Sequence, residues 1–282
     1  MSIRRHTWSI TDQEFRQFQE MLLRITGISL APTKRALVSS RLAKRLGVWQ
    51  LESYGEYLSL IKSGQHPKEL QLAIDLLTTN ETYFFREPRH FEFVRNVILP
   101  NFRAGRMLHA WSAACSSGEE PYSMIMLFAD ALGLETGRWE VMGSDISHRM
   151  LMKAKKGHYL FDRTHHVPPN YLSRFCLKGV NSQEGTFLIR PELREKLILR
   201  QINLNQPLPS IGEFDLIFLR NVLIYFNPET KREVVNRVKS VLRPGGHLIV
   251  GHSESLNGVA DGLETVMPSV YRKPLRSART SL

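Results

Sequence analysis

Residues 107–157 read MLHAWSAACSSGEEPYSMIMLFADALGLETGRWEVMGSDISHRMLMKAKKG, and the order of patterns in this stretch decides the fold. The segment MLHAWSA predicts a strand, PYSMIMLFADALG a helix, RWEVMGSDI a second strand and HRMLMKAKKG a second helix. Parallel neighbours need a crossover and a helix supplies it, so this alternation predicts an α/β core built on a doubly wound parallel sheet. The alternation resumes at FDLIFLRN (214–221), passes through PETKREVVNRVKSVL (228–242) and the turn RPGG, and reaches HLIVGHS (247–253). A last strand is expected at residues 269–273.

Working outward, the pattern breaks at about residues 158–200. A Pro-Pro pair is followed by the short β-rich pieces RFCLKG, GTFLIR and KLILRQ, separated by Gly179 and Gly185. These predict an inserted antiparallel β-subdomain. Towards the N-terminus the chain reads as helices. Thr11 and Glu14 have capping-box spacing, Phe15, Phe18, Met21, Leu22 and Ile25 share a helical face, and Gly27 marks the stop. A second helix is expected from Thr33 to Leu46, burying Leu37, Val38 and Leu42 and ending at Gly47. Two more are expected at Leu51–Lys62 and Pro67–Leu77. The expected organisation is a helical domain over 1–77, a linker with a connecting helix over 78–106, and a core domain over 107–282 that carries the insertion; the tail SARTSL reads as frayed.

The bulk composition fits this plan. The chain has 282 residues, 42% of them hydrophobic and 23% charged, enough for one large domain and one small one with packed cores. No export signal follows the N-terminal arginines and no uncharged run approaches the ~18 residues of a membrane span. Two cysteines in a chain of this length make no disulfide framework, which points to a cytoplasmic location. The formal charge of +11 favours an acidic partner without saying whether that is nucleic acid, anionic lipid or protein.

The loop Trp111–Glu120 follows the first core strand, where such sheets bind ligands. Its small residues allow close backbone approach, although only Gly118 remains of a glycine-rich pattern. Glu119 and Glu120 open the next helix, where a pyrophosphate would otherwise meet the positive end of the dipole. Two carboxylates repel such a group and suit a ligand with a cationic amino group and a sulfonium; they equally complement a helix dipole. Asp145, ending the second strand, is placed to accept two ribose hydroxyls, a position that also suits an N-cap. No His-Glu-x-x-His or Cys-x-x-Cys spacing supports a metal site, and Cys115 reads as a small loop-lining residue rather than a nucleophile.

Five blocks in order resemble the CheR family of chemotaxis receptor glutamate methyltransferases: TTNETYFFRE (78–87), WSAACSSGEEPYS (111–123), SDI (144–146), FLRNVLIYF (218–226) and LRPGGHLIVGHSES (242–255). The likeness extends over about residues 10–273. It implies a Rossmann-like methyltransferase core with a small inserted β-subdomain behind an all-α domain. It also implies S-adenosylmethionine as methyl donor, S-adenosylhomocysteine as product, and glutamate side chains of methyl-accepting receptors as acceptors. By the same resemblance Asn80, Thr82, Arg86, Glu120, Asp145, Asn203, Leu204, Arg220 and Asn221 line the cofactor pocket, and Tyr225 lies near the reacting methyl. Arg86 and Tyr225 are the candidate catalytic residues. Without the family, Arg86 reads as a surface arginine, Asn221 as a strand-end cap and Tyr225 as a strand tyrosine.

Lys34, Arg41, Lys44 and Arg45 fall near one surface of the second helix and are the candidate contacts for an acidic receptor segment. The β-subdomain is a candidate dock for a receptor C-terminal tail. Neither nucleic acid nor membrane insertion is expected. The competing readings are a methyltransferase for RNA or small molecules and a non-catalytic adaptor. The absence of an interleaved aromatic-basic patch speaks against the first, and retention of Asn80, Arg86, Glu120 and Asp145 against the second.

Overall fold

A computed structural model describes residues 8–102, 105–259 and 261–275, so the expected fraying of the SARTSL tail lies outside the described residues. The chain divides into two units. One runs to Thr79 and takes in Tyr225–Asn227; the other comprises Asn80–Ile224 and the chain from Pro228 onward.

The first unit is built from α1 (Asp12–Thr26), α2 (Arg35–Trp49), α3 (Tyr54–Lys62) and α4 (Pro67–Leu77). The capping box forms: Thr11 Oγ1 accepts the Glu14 N–H at 3.2 Å while Glu14 Oε2 accepts the Thr11 N–H at 2.8 Å. The other Glu14 oxygen accepts the Gly55 N–H at 2.7 Å, so one side chain both starts α1 and ties it to α3. Gly27 ends α1 in the left-handed region, φ 76°. The expected stop at Gly47 is corrected, because α2 passes through Gly47 and is capped by left-handed Gln50. Gly47 is exposed and a Cβ there would make only an ordinary 3.4 Å contact with the Trp8 ring; a glycine inside a helix costs about 1 kcal/mol and does not by itself end it. Leu37, expected in the core, is only half-buried, whereas Val38, Leu42 and Leu46 are fully buried.

Two of the cations expected on a free basic face instead hold this unit together. The Arg45 guanidinium forks onto Glu69 at 2.8 and 2.7 Å, and Tyr57 Oη donates to the same carboxylate at 2.7 Å. Arg41 Nη1 donates to the carbonyls of Leu76 and Thr78 at 3.0 and 2.9 Å, satisfying acceptors where α4 ends. Lys34 and Lys44 remain exposed.

In the second unit α5 (Pro88–Phe93) continues as a π-helical turn over Val94–Ile98. It is followed by β1 (Leu108–Ser112), α6 (Glu119–Leu132), β2 (Trp139–Asp145), α7 (His148–Lys156), β3 (His158–Leu160), α8 (Pro169–Phe175), β4 (Cys176–Lys178), β5 (Thr186–Ile189), α9 (Pro191–Arg194), β6 (Leu197–Gln201), β7 (Phe214–Leu219), α10 (Pro228–Ser240), β8 (Leu242–Val250), β9 (Glu264–Met267) and β10 (Val270–Arg272). The main sheet has the order β6-β2-β1-β7-β8-β10-β9. Its first five strands are parallel, and β10 runs antiparallel to both β8 and β9. Every residue of β7 is buried, as a strand covered on both faces requires. The expected strand at 269–273 appears as β10.

The inserted sheet is antiparallel, in the order β3-β5-β4, and it ends at Ile189. Its apolar centre is Phe187, whose ring lies 5.5 Å from Tyr159 and 5.6 Å from Phe84 of the linker motif. The segment KLILRQ, expected in this subdomain with Leu199 in its sheet, belongs instead to the main sheet as β6, parallel to β2. A Cβ at Gly143 of β2 would lie 3.2 Å from Leu199 and from Cys115 side-chain atoms, so the glycine leaves these two side chains room on the sheet face.

Glu69→Ala removes the shared partner of Arg45 and Tyr57 and should lower the unfolding free energy by about 2–3 kcal/mol in urea titrations at neutral pH. Burial raises the Glu69 pKa, but hydrogen bonds from Arg45 and Tyr57 outweigh it and the net direction is down from 4.5. A lowered carboxylate pKa stabilises above the unfolded value and loses that contribution as pH falls through the folded one. The gap between wild type and variant should therefore narrow below pH 4.5.

Candidate active site

The strand order reverses between β1 and β7, and ligands of such sheets bind outside the carboxyl ends of the strands at this switch point. There the loop after β1 folds back on β2. The Ser116 N–H donates to Asp145 Oδ2 and the Ser147 N–H to Asp145 Oδ1, both at 2.8 Å. Asp145 is thus held through both oxygens. Ser116 is left-handed, φ 48°, and its hydroxyl donates to the Asn80 carbonyl at 3.1 Å, joining the linker motif to the loop. Gly118 is required twice over. Its φ is 99°, and a Cβ would come within 2.7 Å of the Ala154 Cβ on α7.

The acids that open α6 separate in role. Glu119 is buried, accepts from Ser117 Oγ at 2.7 Å and lies 3.6 Å from Arg163; burial raises its pKa. Glu120 accepts from Ser112 Oγ at 2.7 Å and from Arg220 Nη1 at 3.1 Å. Burial pushes its pKa up as well, opposed by the Arg220 charge.

Arg220 follows β7 with its side chain fully buried. Besides Glu120 it faces Glu87 Oε2 at 3.0 Å, donates to the Arg86 carbonyl, and stacks its guanidinium on Phe218 and Phe91 at 5.3 and 5.7 Å from the ring centroids. Its Nε is buried with no hydrogen-bond partner. Burial raises the Glu87 pKa, but the Arg220 charge and hydrogen bonds from Asn221 and His252 bring it down overall. Asn221 is left-handed, φ 57°, and its Nδ2 donates to Glu87 Oε1 at 3.1 Å.

The other expected residues have the following surroundings. Thr82 is buried, with its carbonyl accepting from Arg163 at 2.8 Å. Arg86 is half-exposed, donates to the Glu81 carbonyl at 3.0 Å, lies over the Tyr83 ring at 5.6 Å, and its charge acts on Glu120. Asn203 and Leu204 follow β6 on the neighbouring loop. Asn203 Oδ1 accepts the Asn205 N–H at 3.0 Å, and the Leu204 carbonyl accepts from Arg237 at 3.1 Å. Tyr225 belongs to the helical unit, where its carbonyl accepts the Ser29 N–H at 2.8 Å. Cys115 is buried, and burial first, then the charges of Asp145 and Glu120, push its thiol pKa well up, which leaves it a poor nucleophile.

Sequence reasoning missed Glu87 and Glu254. Glu254 accepts the N–H groups of Asn221, Gly251 and Ile224 at 2.7, 2.7 and 3.2 Å. Both acids stand inside the quoted blocks, so the only available signal was an acid within a motif.

Residues 13–78 match the family model described as the CheR methyltransferase all-alpha domain, and residues 80–271 match that of the CheR methyltransferase SAM binding domain. The chain belongs to the CheR methyltransferase family. Among its relatives, the chemotaxis protein methyltransferase of Escherichia coli is 40% identical over 88% of this chain and 86% of that one. The Salmonella typhimurium chemotaxis protein methyltransferase is 38% identical over 93% and 91%. Chemotaxis protein methyltransferase 2 of Pseudomonas aeruginosa is 39% identical over 93% of each chain. The cofactor of this family's core is S-adenosylmethionine, and the chemistry of the residues at the switch point fits it: the carboxylates of Asp145 and Glu120 are acceptors of the kind a ribose diol and an ammonium need and would repel a pyrophosphate. Among the described residues no helix is long and apolar enough to cross a membrane.

Replacing Arg220 by Met leaves the partly buried Glu120 and Glu87 carboxylates without their shared cation. Arg220→Met should lower the unfolding free energy by about 3 kcal/mol at neutral pH. An unpaired buried carboxylate has a raised folded pKa, so it destabilises above that pKa and ceases to do so once protonated. Urea unfolding followed by circular dichroism should therefore show a smaller loss at pH 5 than at pH 8.

Proposed function

We propose that this chain transfers a methyl group from S-adenosylmethionine to glutamate side-chain carboxylates of methyl-accepting chemotaxis receptors, giving glutamate methyl esters. The observation that carries this reading is 40% identity over 88% of the chain to a chemotaxis protein methyltransferase, together with the carboxylates of Asp145 and Glu120 near the sheet's switch point. In the reading Asp145 accepts the ribose hydroxyls. Glu120, oriented by Ser112 and Arg220, receives the ammonium group, and Asn80, Thr82, Asn203, Leu204 and Asn221 border the pocket. The bound cofactor supplies a methyl group on a sulfonium, a good leaving group.

A glutamate carboxylate with a pKa near 4.3 is already ionised at neutral pH, so the acceptor needs no general base. The protein's task is orientation and charge placement. Arg86, whose guanidinium is half-exposed and already acts on Glu120, steers the incoming carboxylate. The role of Tyr225 in aligning the reacting groups rests on the family motif alone.

Of the four basic residues expected to meet the receptor, Arg41 and Arg45 are occupied within the helical unit, which concentrates the proposed acidic-receptor contact on Lys34 and Lys44. The outer strands β3 and β4 of the inserted sheet carry exposed Leu160 and Leu177. They offer edges to which an extended receptor tail adds as a strand. The cytoplasm, where receptor signalling domains are reached, is the proposed location.

Tritium transfer from labelled S-adenosylmethionine, run in parallel on receptor cytoplasmic domains, RNA and no acceptor, should label the receptor alone as base-labile ester. Label on RNA would overturn the assignment. Asp145→Ala should weaken S-adenosylhomocysteine binding in calorimetry by about 10- to 100-fold, the loss of hydrogen bonds to a charged acceptor, with folding retained. Lys34→Glu combined with Lys44→Glu should raise the KM for receptor without changing cofactor affinity. The wild-type rate should fall between ~0.01 and ~0.15 M salt, as the Debye length contracts from about 30 to 8 Å.

A further inference from the structure

The backbone at Arg220–Asn221 leaves β7 through a left-handed Asn221, φ 57°, a conformation that few residues other than glycine adopt and that asparagine tolerates best. Glu254 holds this turn by hydrogen bonds. The side chain is 4% exposed, and its oxygens collect three backbone donors: Asn221 and Gly251 on Oε2, both at 2.7 Å, and Ile224 on Oε1 at 3.2 Å. A carboxylate in a ring of N–H groups is a strong and directional clamp. Gly251 completes it, since a Cβ there would lie 2.6 Å from Asn221 Nδ2 and 2.8 Å from Glu254 Oε2. The acid thus joins the carboxyl ends of β7 and β8, the edge of the sheet at which ligands bind.

Glu87 grips the same turn from its side-chain face, through Arg220, Asn221 Nδ2 and the His252 N–H. Glu87, His90 and His252 bring ligand atoms within 4.8 Å of one another, yet a dication there would stand against the buried guanidinium that already faces Glu87 at 3.0 Å. The cluster is arranged to hold the turn, not a metal.

We propose that Glu254 is a positioning residue for the methyl-donor site: it touches neither substrate nor cofactor, and by fixing the Arg220–Asn221 turn it sets Arg220 against Glu120 and Asn221 towards the pocket. This rests on the reading that Arg220 and Asn221 belong to the donor pocket, so the test includes Asn221 itself. Full-length Glu254→Ala, Glu254→Gln, Asn221→Ala and Val238→Ala are compared by calorimetry with S-adenosylhomocysteine, by steady-state methyl transfer and by thermal unfolding. Val238 is fully buried on α10 and serves as a purely structural control.

Glu254→Ala should raise the S-adenosylhomocysteine Kd by about tenfold. The KM for S-adenosylmethionine should rise in step while kcat falls less. Glu254→Gln, which keeps one oxygen but turns an amide donor towards backbone donors, should raise Kd about threefold. Val238→Ala should melt earlier and bind as wild type does. Wild-type affinity in either folded Glu254 variant, with Asn221→Ala weakened, overturns the positioning role, and Glu254→Gln decides the matter if the alanine variant does not fold. Wild-type affinity in Asn221→Ala instead overturns the pocket reading beneath it.

Discussion

A single buried guanidinium organises the active-site half of this protein. Arg220 has no exposed side-chain surface, and its charge is met by Glu120 from the start of α6 and Glu87 from the linker motif. An ion of this kind is tolerated in a protein interior only where partners and geometry compensate the lost hydration. That requirement brings three separated stretches of chain to one place. The linker arrives with Glu87 and hands over the Arg86 carbonyl, α6 arrives with Glu120, and β7 ends where Arg220 can reach both. Flanking Phe91 and Phe218 exclude water and hold the guanidinium plane.

The acid that ends β2 is held by backbone rather than by opposite charge. Asp145 is fixed by two N–H donors, one from the loop after β1 and one from the start of α7. Small residues in the loop and Gly118 let this happen, because α7 packs so closely on the glycine that a methyl group would collide with Ala154. The site therefore sets a fixed acid on β2 beside an acid on α6 whose charge is tempered by burial and by Arg220. This combination suits a cation with a sugar attached far better than a polyphosphate.

The basic helical unit shows how charge counted in a sequence is redistributed by folding. Arg41 and Arg45 look like surface cations on one helix, yet both turn inward, one to helix-end carbonyls and one to a glutamate shared with Tyr57. The long arginine side chain allows this, since its apolar stem packs while its planar head finds fixed acceptors. Lysines at 34 and 44 stay in solvent.

By itself the sequence determined the class of fold, the helical first unit and the cofactor-loop region. Those follow from local signals: the capping box at Thr11, the alternation of apolar strands with helices, and acids at a helix start. Five ordered motif blocks added the family and with it the residues expected in the pocket. Only the tertiary structure decided which sheet receives Leu197–Gln201, because a short strand carries no mark of its partner. Only the tertiary structure showed that α2 runs past Gly47, because a glycine costs a helix only about 1 kcal/mol and does not by itself end one. The clamps of Glu87 and Glu254 were invisible because a carboxylate takes its meaning from donors that distant segments bring to it, and such long-range hydrogen bonds have no local sequence pattern.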